Sequence, residues 1–174
     1  MSDMKYYIAF DPERCCACHA CSVACMDQND TDVEAGELPL RRVFNEELGC
    51  DVLDCAYLSA ACAHCDDAPC VMACPVGCLQ KDYDTGMTVY DNTRCIGCRS
   101  CGMACPFGAP RYLPDSEKMV KCDGCNERLK SGLMPACVRA CTFGALTCMN
   151  EEEYQNSVKA RALHAMLLAT GHRS

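Results

Sequence analysis

The pattern of apolar and polar residues predicts short strands joined by turns over most of the chain, with a helical pattern near its end. β-rich runs predict strands at residues 6–10, 43–44, 87–90 and 146–149. Asp11-Pro12 closes the first run, and a turn over residues 81–86 precedes the third. From residue 151 the pattern is that of a helix, which we expect Asn150 to cap and Gly171 to end.

The apolar residues of this helix form a stripe, because they recur at helical spacing along one face. The stripe is made of Val158, Ala162, Leu163, Met166 and Leu167. Glutamates at 151–153 suit the positive N-terminal end of the helix dipole. We expect the stripe to pack on its own domain; an interface with a partner subunit is the alternative.

Cysteine dominates the composition and changes this picture. The 174 residues contain 21 cysteines, no tryptophan and only 6% aromatic residues, so an ordinary apolar core would be thin. We expect metal clusters to replace part of the interior. The formal net charge of −8 argues against nucleic acid as a partner, because nucleic acid is bound by clustered Lys and Arg.

The chain has no predicted targeting or membrane segment. Its N-terminus carries acids before any apolar run of signal-peptide length, and no stretch has the roughly 18 apolar residues that span a bilayer. We therefore expect a cytoplasmic chain without a membrane span of its own, and export on a partner subunit stays open. In a reducing compartment, clustered cysteines indicate metal ligands before disulfides.

Sixteen of the cysteines fall into four groups of four. The third group, Cys95-x2-Cys98-x2-Cys101-x3-Cys105-Pro106, has the spacing with which bacterial ferredoxins bind [4Fe–4S] clusters. The first group repeats this spacing 80 residues earlier, together with the strand, the acid and the arginine before it. The first group is Cys15, Cys18, Cys21 and Cys25; the second is Cys62, Cys65, Cys70 and Cys74; the fourth is Cys122, Cys125, Cys137 and Cys141.

Four such groups predict four [4Fe–4S] clusters. A structural zinc site uses pairs of cysteines without a third closely spaced one, so a zinc- or disulfide-stapled module is the weaker alternative. Of the remaining cysteines, Cys16 and Cys78 align with apolar residues of the repeat and are predicted to be small packing residues. Met72 and Met103 are predicted to cover the clusters as part of the core.

Several segments resemble a known family. They are Ala56-Tyr-Leu-Ser59, the second cysteine group, Cys95-Ile-Gly-Cys98-Arg99, Cys105-Pro-Phe-Gly-Ala-Pro-Arg-Tyr112 and Lys121-Cys-Asp-Gly-Cys125. Together they resemble the four-cluster electron-transfer subunits of molybdopterin oxidoreductases, such as the iron–sulfur subunit of dimethyl sulfoxide reductase, and of formate hydrogenlyases. The resemblance covers residues 5 to about 149.

The resemblance implies an α+β fold of two ferredoxin-like modules, each with two [4Fe–4S] clusters, short β-hairpins and short helices. One module comprises residues 1–30 and 113–149 and the other 62–112, with an acidic insertion at 31–61 and a C-terminal helix at 150–174. The acids of the insertion are expected to form a solvated loop or a docking surface. The resemblance also implies four exchanged ligand sets: Cys15, Cys18, Cys21 and Cys141; Cys122, Cys125, Cys137 and Cys25; Cys62, Cys65, Cys70 and Cys105; and Cys95, Cys98, Cys101 and Cys74.

The chain departs from the family pattern in two places. Thr142 replaces the usual proline, which should loosen the turn but leave its neighbouring ligand in place. The chain ends near residue 174, which favours a short formate dehydrogenase or hydrogenase-linked subunit over one with a membrane anchor partner. One family variant carries a tryptophan at a ligand position and a three-iron cluster; since this chain has no tryptophan, we expect four cubane clusters.

Charged side chains and imidazoles lie next to the ligands. The basic residues one position from a ligand are Arg14, Arg94, Arg99 and Lys121. Positive charge there favours a reduced cluster and raises its potential, and an ordinary solvent-facing charge is the alternative. His19 and His64 lie within the groups, but we expect neither to bind metal because every tetrad is already complete.

The sequence has no nucleophile–base pair, phosphate loop or open metal site, so we expect neither enzyme activity nor a small-molecule substrate of its own. The resemblance implies a relay of single electrons between a molybdenum or tungsten pterin catalytic subunit and a second redox partner. The catalytic subunit is expected to be of the dimethyl sulfoxide reductase or formate dehydrogenase type, and the second partner a hydrogenase, a ferredoxin or a membrane subunit. The alternative is a free-standing polyferredoxin that serves several soluble enzymes.

Overall fold

The computed structural model describes residues 5–47, 55–113 and 115–169, which form eight short strands and six helices. The strands are β1 (Tyr6–Phe10), β2 (Arg42–Glu47), β3 (Cys55–Ala60), β4 (Leu79–Lys81), β5 (Thr88–Tyr90), β6 (Arg111–Tyr112), β7 (Met119–Val120) and β8 (Leu146–Asn150). The helices are α1 (Ala20–Gln28), α2 (Pro69–Met72), α3 (Ser100–Ala104), α4 (Asn126–Lys130), α5 (Ala136–Arg139) and α6 (Glu151–Ala169). The chain is therefore α+β, and the predicted strands and the long helix are confirmed.

Each described strand pairs with one other, which gives four two-stranded antiparallel sheets. β1 pairs with β8 and joins the two ends of the described chain, with Phe10 opposite Leu146. β2–β3, β4–β5 and β6–β7 are hairpins, and β6–β7 crosses the module boundary predicted at residue 113. Two pairs of helices are also in contact, α1 with α5 and α2 with α3.

The internal repeat keeps its backbone conformation. Asp11 and Asp91 each accept, at Oδ1, the backbone N–H two residues later at 3.0 Å, and each starts a short 3₁₀ turn. Further along, His19 and Arg99 have left-handed φ angles of 61° and 62° and precede the helix that carries the third cysteine of their group. The first and third groups therefore present their first three cysteines on loops of the same shape.

The buried interior is small, and half of its clustered residues are cysteines. One buried cluster consists of Ala68, Cys70, Cys78, Leu79, Cys101 and Met119. The other consists of Cys21, Cys137, Val138 and Leu146. Apolar packing alone is therefore thin in the described residues, as the composition predicts, and the cysteines occupy positions that a larger core would fill with aliphatic side chains.

The insertion is more ordered than its acidic composition suggests. The acids Asp32 and Glu34 are exposed, as expected of a solvated loop. Residues 42–47 and 55–60, however, form the β2–β3 hairpin, which extends the short strand predicted at 43–44. Arg41, just before this hairpin, is only 4% exposed, and its carbonyl accepts the hydroxyl of Ser22 on α1 at 2.6 Å. The insertion thus packs against the cysteine-bearing part of the protein.

The C-terminal helix α6 begins at a reciprocal cap. Oδ1 of Asn150 accepts the backbone N–H of Glu153 at 2.9 Å, and the Glu153 carboxylate accepts the N–H of Asn150 at 3.0 Å. The first turns contact β1 and β8, where Tyr154 stacks on Tyr7 with ring centroids 4.4 Å apart. The cap predicted at Asn150 is therefore confirmed.

The apolar stripe of α6 is largely exposed. Val158, Leu163 and Met166 are 38%, 59% and 66% exposed. The expectation that the stripe packs on its own domain is wrong for Val158 and Leu163, because both side chains are exposed. The side chain of Leu167 and the predicted end at Gly171 lie outside the described residues. Within the described ranges, the structure has no helix with the length and apolar character needed to cross a membrane.

Candidate metal centres

Three cavities are lined by cysteines that come from different groups. The Cys122 cavity is lined by Cys25, Cys122, Cys125 and Cys137. The Cys95 cavity is lined by Cys74, Cys95, Cys98 and Cys101, with Cys78 beside them. The Cys62 cavity is lined by Cys62, Cys65, Cys70 and Cys105. Each cavity combines three cysteines of one group with the last cysteine of another, as in the sets that the resemblance implies.

The members of the fourth expected set lie near the sheet that joins the two ends of the described residues. Cys21 is buried on α1, and Cys141 follows α5, the helix that packs against α1. Cys15 and Cys18 lie in the loop that leads into α1, the first half-buried and the second exposed. The structure thus places the four cysteines on two neighbouring helices and one loop, and their joint role stays a prediction.

The last cysteine of most groups lies just beyond a helix rather than within it. α1 contains both cysteines of its C-x3-C pair, whereas α2, α3 and α5 end one or two residues before Cys74, Cys105 and Cys141. Both cysteines of the C-x3-C pair therefore lie within one helix only in the first group. In the other groups a glycine with left-handed φ of 58° to 62° follows three residues later and reverses the backbone: Gly77, Gly108 and Gly144.

This reversal aims a backbone N–H at the sulfur of the last cysteine. The bonds run from Cys78 to Cys74 at 3.2 Å, from Ala109 to Cys105 at 3.4 Å and from Leu146 to Cys141 at 3.4 Å. N–H donors stabilise a thiolate, which is the form that binds metal. Thr142 does not remove the turn, since Gly144 has the same left-handed φ as Gly77 and Gly108, but the N–H donor is the fifth residue after Cys141 instead of the fourth.

The first group lacks this turn and uses a side chain instead. α1 continues past Cys25 to Gln28, so the following backbone N–H groups are held within the helix. Asn29, directly after the helix, donates its side-chain amide to the Cys25 sulfur at 3.5 Å and to the Cys25 carbonyl at 2.6 Å. Asn29 is therefore a candidate functional residue that the cysteine spacing did not reveal.

A single zinc ion would need its ligands close together. A tetrahedral zinc with Zn–S bonds of about 2.3 Å holds its sulfurs roughly 3.8 Å apart. Among the residues that the structure describes, no three His, Cys, Asp or Glu side chains approach closely enough to share one ion. Nineteen cysteines are free thiols. Thiol donors that come together in sets of four fit [4Fe–4S] clusters, which Cys thiolates hold.

Burial dominates the electrostatics of the Cys122 cavity. It raises the pKa of Cys25 to about 12 and raises the pKa values of Cys122 and Cys137 as well. The positive charge of Arg41 acts in the opposite direction on Cys122 and Cys137, and that of Lys121 does so on Cys122. Since a cluster binds thiolates, these cations favour the loss of protons that binding requires.

Two polar side chains, one buried and one half-buried, lie where the Cys62 and Cys122 cavities meet. Lys121 is fully buried and donates from Nζ to the carbonyls of Thr88 and Cys122. His64 accepts the Thr88 N–H at Nδ1, at 3.1 Å, and its Nε2 lies 3.7 Å from the sulfur of Cys122. Burial, followed by the charge of Lys121, lowers the pKa of His64 well below its usual value. The ring is therefore neutral, with its proton on Nε2 and facing the sulfur.

Comparison with known proteins bears on what these sites hold. Residues 53–151 match the 4Fe-4S dicluster domain family. A subunit of the anaerobic dimethyl sulfoxide reductase of Haemophilus influenzae is 38% identical over 176 residues, covering 95% of this sequence and 84% of that protein. The corresponding subunit of Escherichia coli K12 is 40% identical over 152 residues, covering 82% and 72%. The thiosulfate reductase electron transfer subunit of Salmonella typhi is 35% identical over 164 residues, covering 92% and 84%.

The protein belongs to the iron–sulfur electron-transfer subunits of the molybdopterin oxidoreductases. Such subunits are not catalytic, which confirms the expectation drawn from the missing catalytic motifs. The 4Fe-4S match spans the second, third and fourth cysteine groups. The first group lies before the matched residues. Its expected role as a set of cluster ligands rests on the internal repeat.

The arginines expected beside ligands are exposed in this electron-transfer subunit: Arg14, Arg94 and Arg99. A Cβ at Gly144 would lie 3.0 Å from the guanidinium of Arg14, and one at Gly77 would lie 3.4 Å from that of Arg94. The third arginine lies over the ring of Tyr112, 5.2 Å from its centroid. Each arginine therefore covers a turn or a ring next to a ligand. A role for all three in raising the cluster potentials stays a prediction.

Of the side chains predicted to pack in the interior, one is buried and three are exposed. Cys78 is 2% exposed, as predicted. Cys16 is exposed, so that prediction is wrong, and its counterpart Ile96 is also 64% exposed because this loop position points outward. Met72 and Met103, predicted to cover the clusters as core, are 74% and 82% exposed. The surface of the subunit near the second and third groups is therefore apolar in places.

Proposed function

We propose that this electron-transfer subunit holds four [4Fe–4S] clusters, one in each of the four cysteine sets. When bound, such clusters supply one-electron redox chemistry. The observation that carries the proposal is the lining of the three cavities, each with three cysteines of one group and the last cysteine of another. The fourth set, Cys15, Cys18, Cys21 and Cys141, follows from the internal repeat and from the packing of α1 on α5.

We further propose the two-module arrangement, with residues 1–30 and 113–149 in one module and 62–112 in the other. The pairing of β1 with β8 and of α1 with α5 supports the first module. The β4–β5 hairpin and the contact of α2 with α3 support the second. The guanidinium of Arg14 over Gly144 and that of Arg94 over Gly77 are contacts within the first and second module respectively.

The residues of the protein itself prepare the sites for electron transfer. Backbone N–H groups and the Asn29 amide bond the sulfurs of the exchanged cysteines, and such bonds stabilise the thiolate form. The Tyr112 hydroxyl lies 3.5 Å from the Cys101 sulfur and accepts the Gly102 N–H at 3.2 Å. Cys25 and Cys137 in the Cys122 cavity are buried, and the low local dielectric there strengthens hydrogen bonds such as that from Asn29 to the Cys25 sulfur.

The proposed role is to relay single electrons between a molybdenum or tungsten pterin catalytic subunit and a second redox partner. The relatives are named as subunits of dimethyl sulfoxide and thiosulfate reductases, which favours a catalytic subunit of that kind over the formate dehydrogenase type. The second partner would be a hydrogenase, a ferredoxin or a membrane subunit. Exposed apolar side chains, including Met72, Met103 and Leu163, offer contact area for subunits.

A free-standing polyferredoxin is the alternative, and an anaerobic pull-down from the native source separates the two roles. Recovery of a pterin-containing catalytic subunit with the protein supports the dedicated role. A monomer that exchanges electrons with several soluble enzymes supports the alternative. Colourless, zinc-loaded protein would contradict both.

Cluster number and ligand exchange are tested on anaerobically prepared protein, which should contain about sixteen irons with matching sulfide. Single substitutions such as Cys105→Ala should each alter one cluster signal in the EPR spectrum of the reduced protein. The double variant Cys62→Ala/Cys105→Ala should still alter only one signal, because both cysteines belong to one set. Cys95→Ala/Cys105→Ala should alter two.

The matched control is Cys16→Ala, a cysteine within the first group that belongs to no set and should leave all signals intact. If Cys62→Ala/Cys105→Ala altered two signals and Cys95→Ala/Cys105→Ala only one, the ligands would not be exchanged between groups. The second and third groups would then each bind a cluster of their own.

A further inference from the structure

Arg41 is a buried cation whose guanidinium is only partly satisfied by the described residues. It is 4% exposed, and its Nη1 donates to the carbonyl and the hydroxyl of Ser59 at 3.1 and 3.2 Å. Its Nε is buried and reaches no acceptor among the residues that the structure describes. Burying a cation without an anionic partner is strongly unfavourable, so this side chain indicates a negative group next to it.

The guanidinium faces the Cys122 cavity. It lines this cavity together with Cys25 and Cys137, and its charge opposes the effect of burial on the thiol pKa of Cys137. A [4Fe–4S] cluster held by four thiolates is an anion, and it gains negative charge when it is reduced. The orphaned donor and the thiols therefore fit such a cluster, and Arg41 is placed to be its counter-charge.

The other described cavities differ from this one in the cations that line them. The cation that lines the Cys95 cavity is Arg99, whose side chain is 57% exposed and so is screened by water. The Cys62 cavity is lined by Lys121, and the half-buried Lys81 donates to carbonyls of the same loop. Because Lys121 also donates to the Cys122 carbonyl, the Cys62 and Cys122 cavities share this cation. Arg41 is the buried charge that distinguishes the Cys122 cavity.

We propose that Arg41 gives the cluster of the Cys122 cavity the highest midpoint potential of the four. A fixed buried cation stabilises the more negative, reduced form of a cluster and so raises its potential. The first electron taken up by the subunit would then reside in this cavity, beside the junction with the Cys62 cavity. The inference rests on the proposed function, because it assumes four bound clusters.

The test is a redox titration of the anaerobically prepared holo-protein, followed by EPR spectroscopy. Arg41→Gln and Arg41→Met both remove the charge, and the methionine keeps much of the packing of the aliphatic stem. In both variants the couple of highest potential should shift to a lower potential by more than any other couple. A smaller shift is expected for the fourth set, because the Ser59 hydroxyl that Arg41 bonds also lies 3.4 Å from the Cys21 sulfur. Arg41→Lys keeps a positive charge and should retain most of the wild-type value.

The matched control is Arg42→Gln, the next residue in the sequence. The guanidinium of Arg42 stacks on the ring of Phe44 at 4.9 Å, and this substitution should leave all four couples unchanged. The inference is overturned if neither neutral variant shifts a couple, if all four shift together, if the couple that shifts is not the highest, or if Arg42→Gln gives the same shift.

A second measurement keeps the inference testable if the Arg41 variants fail to assemble their clusters. Cys125→Ser changes a ligand of the Cys122 cavity and should alter the signal of the highest-potential cluster in an otherwise intact protein. A change in any other signal overturns the inference. Failure of the proposed function is distinguishable, because it would appear as missing iron or missing cluster signals in the wild-type protein.

Discussion

The Nε2 atom of His64 lies 3.7 Å from the sulfur of Cys122, so the second cysteine group touches a proposed ligand of the fourth. The other ring nitrogen accepts the Thr88 N–H at 3.1 Å and fixes the tautomer that carries its proton on Nε2. His64 has a left-handed φ of 49°, which bends the loop between Cys62 and Cys65 so that the ring reaches across. One side chain thus joins the Cys62 and Cys122 cavities.

Two substitutions of His64 should separate its two contacts. His64→Asn keeps an acceptor near the position of Nδ1 and tolerates the left-handed backbone, but it removes the donor to Cys122. His64→Gln keeps a donor near Nε2 and leaves the buried Thr88 N–H unpaired. We expect the Asn variant to lower one midpoint potential, and the Gln variant to lose about 1–3 kcal/mol in the free energy of unfolding. Redox titration and anaerobic denaturant unfolding measure the two effects, and identical behaviour of both variants would contradict the assignment.

Asp82 ties the turn of the β4–β5 hairpin to α4. Its carboxylate accepts Nζ of Lys130 at 2.6 Å and Nδ2 of Asn126 at 2.9 Å. Burial acts to raise its pKa, but these two donors outweigh burial and hold the pKa at about 2. Because this value lies below the ordinary 3.8, the stabilisation is complete above pH 4 or so and is lost as the pH falls toward 2.

Asp82→Asn should therefore lower the thermal midpoint of unfolding at pH 7, by an amount that corresponds to about 1 kcal/mol because Lys130 is partly exposed. The difference from wild type should be constant between about pH 8 and pH 5 and should narrow below pH 4. Asp84→Asn is the control, since Asp84 lies in the same turn and is exposed. A difference that grew toward low pH would contradict the ion pair.

Glycine is needed at position 124 both for the backbone conformation there and for the lack of space around it. It has φ of 74°, and a Cβ there would overlap the side chain of Met87, which is 1% exposed. Gly132 has φ of 71° with nothing within 4 Å of such a Cβ. We expect Gly132→Ala to lower the free energy of unfolding by about 1–2 kcal/mol, the cost of a left-handed alanine. Gly124→Ala should lower the free energy of unfolding by roughly 1–3 kcal/mol more than Gly132→Ala does, because of overpacking, and should also lower the iron content.

Denaturant unfolding and iron analysis of the two glycine variants check this expectation. Equal destabilisation of both would mean that Met87 moves aside, and that the loop between Cys122 and Cys125 does not depend on the close contact.

The local features of the protein could be predicted because short spacings determine them. The repeat that contains Asp11 and Asp91 implies two loops of one shape, and the structure has them. Asn150 followed by acids predicts a helix cap, and the cap is present. In each case the residues that interact are within a few positions of one another, so the sequence contains the whole interaction.

Burial could not be predicted in the same way, because it depends on which distant segment covers a residue. Arg41 is in an insertion whose acidic composition predicts exposure to solvent, yet the β2–β3 hairpin and α1 enclose it. Asn29 bonds the Cys25 sulfur only because α1 runs past the cysteine. Met72 and Met103 show the opposite error, since apolar character suggested a core that the short helices α2 and α3 leave open.

Removal of iron should unfold the described core rather than leave an empty scaffold. Four of the ten clustered buried residues are proposed ligands: Cys21, Cys70, Cys101 and Cys137. Without clusters these thiols would line the three cavities with few aliphatic side chains to close them. We expect anaerobic chelation to lower the iron content and the far-ultraviolet circular dichroism signal along a single curve, because binding energy and folding energy are the same quantity here. A protein that loses all its iron but keeps its spectrum and its resistance to proteolysis would show that side-chain packing alone maintains the fold.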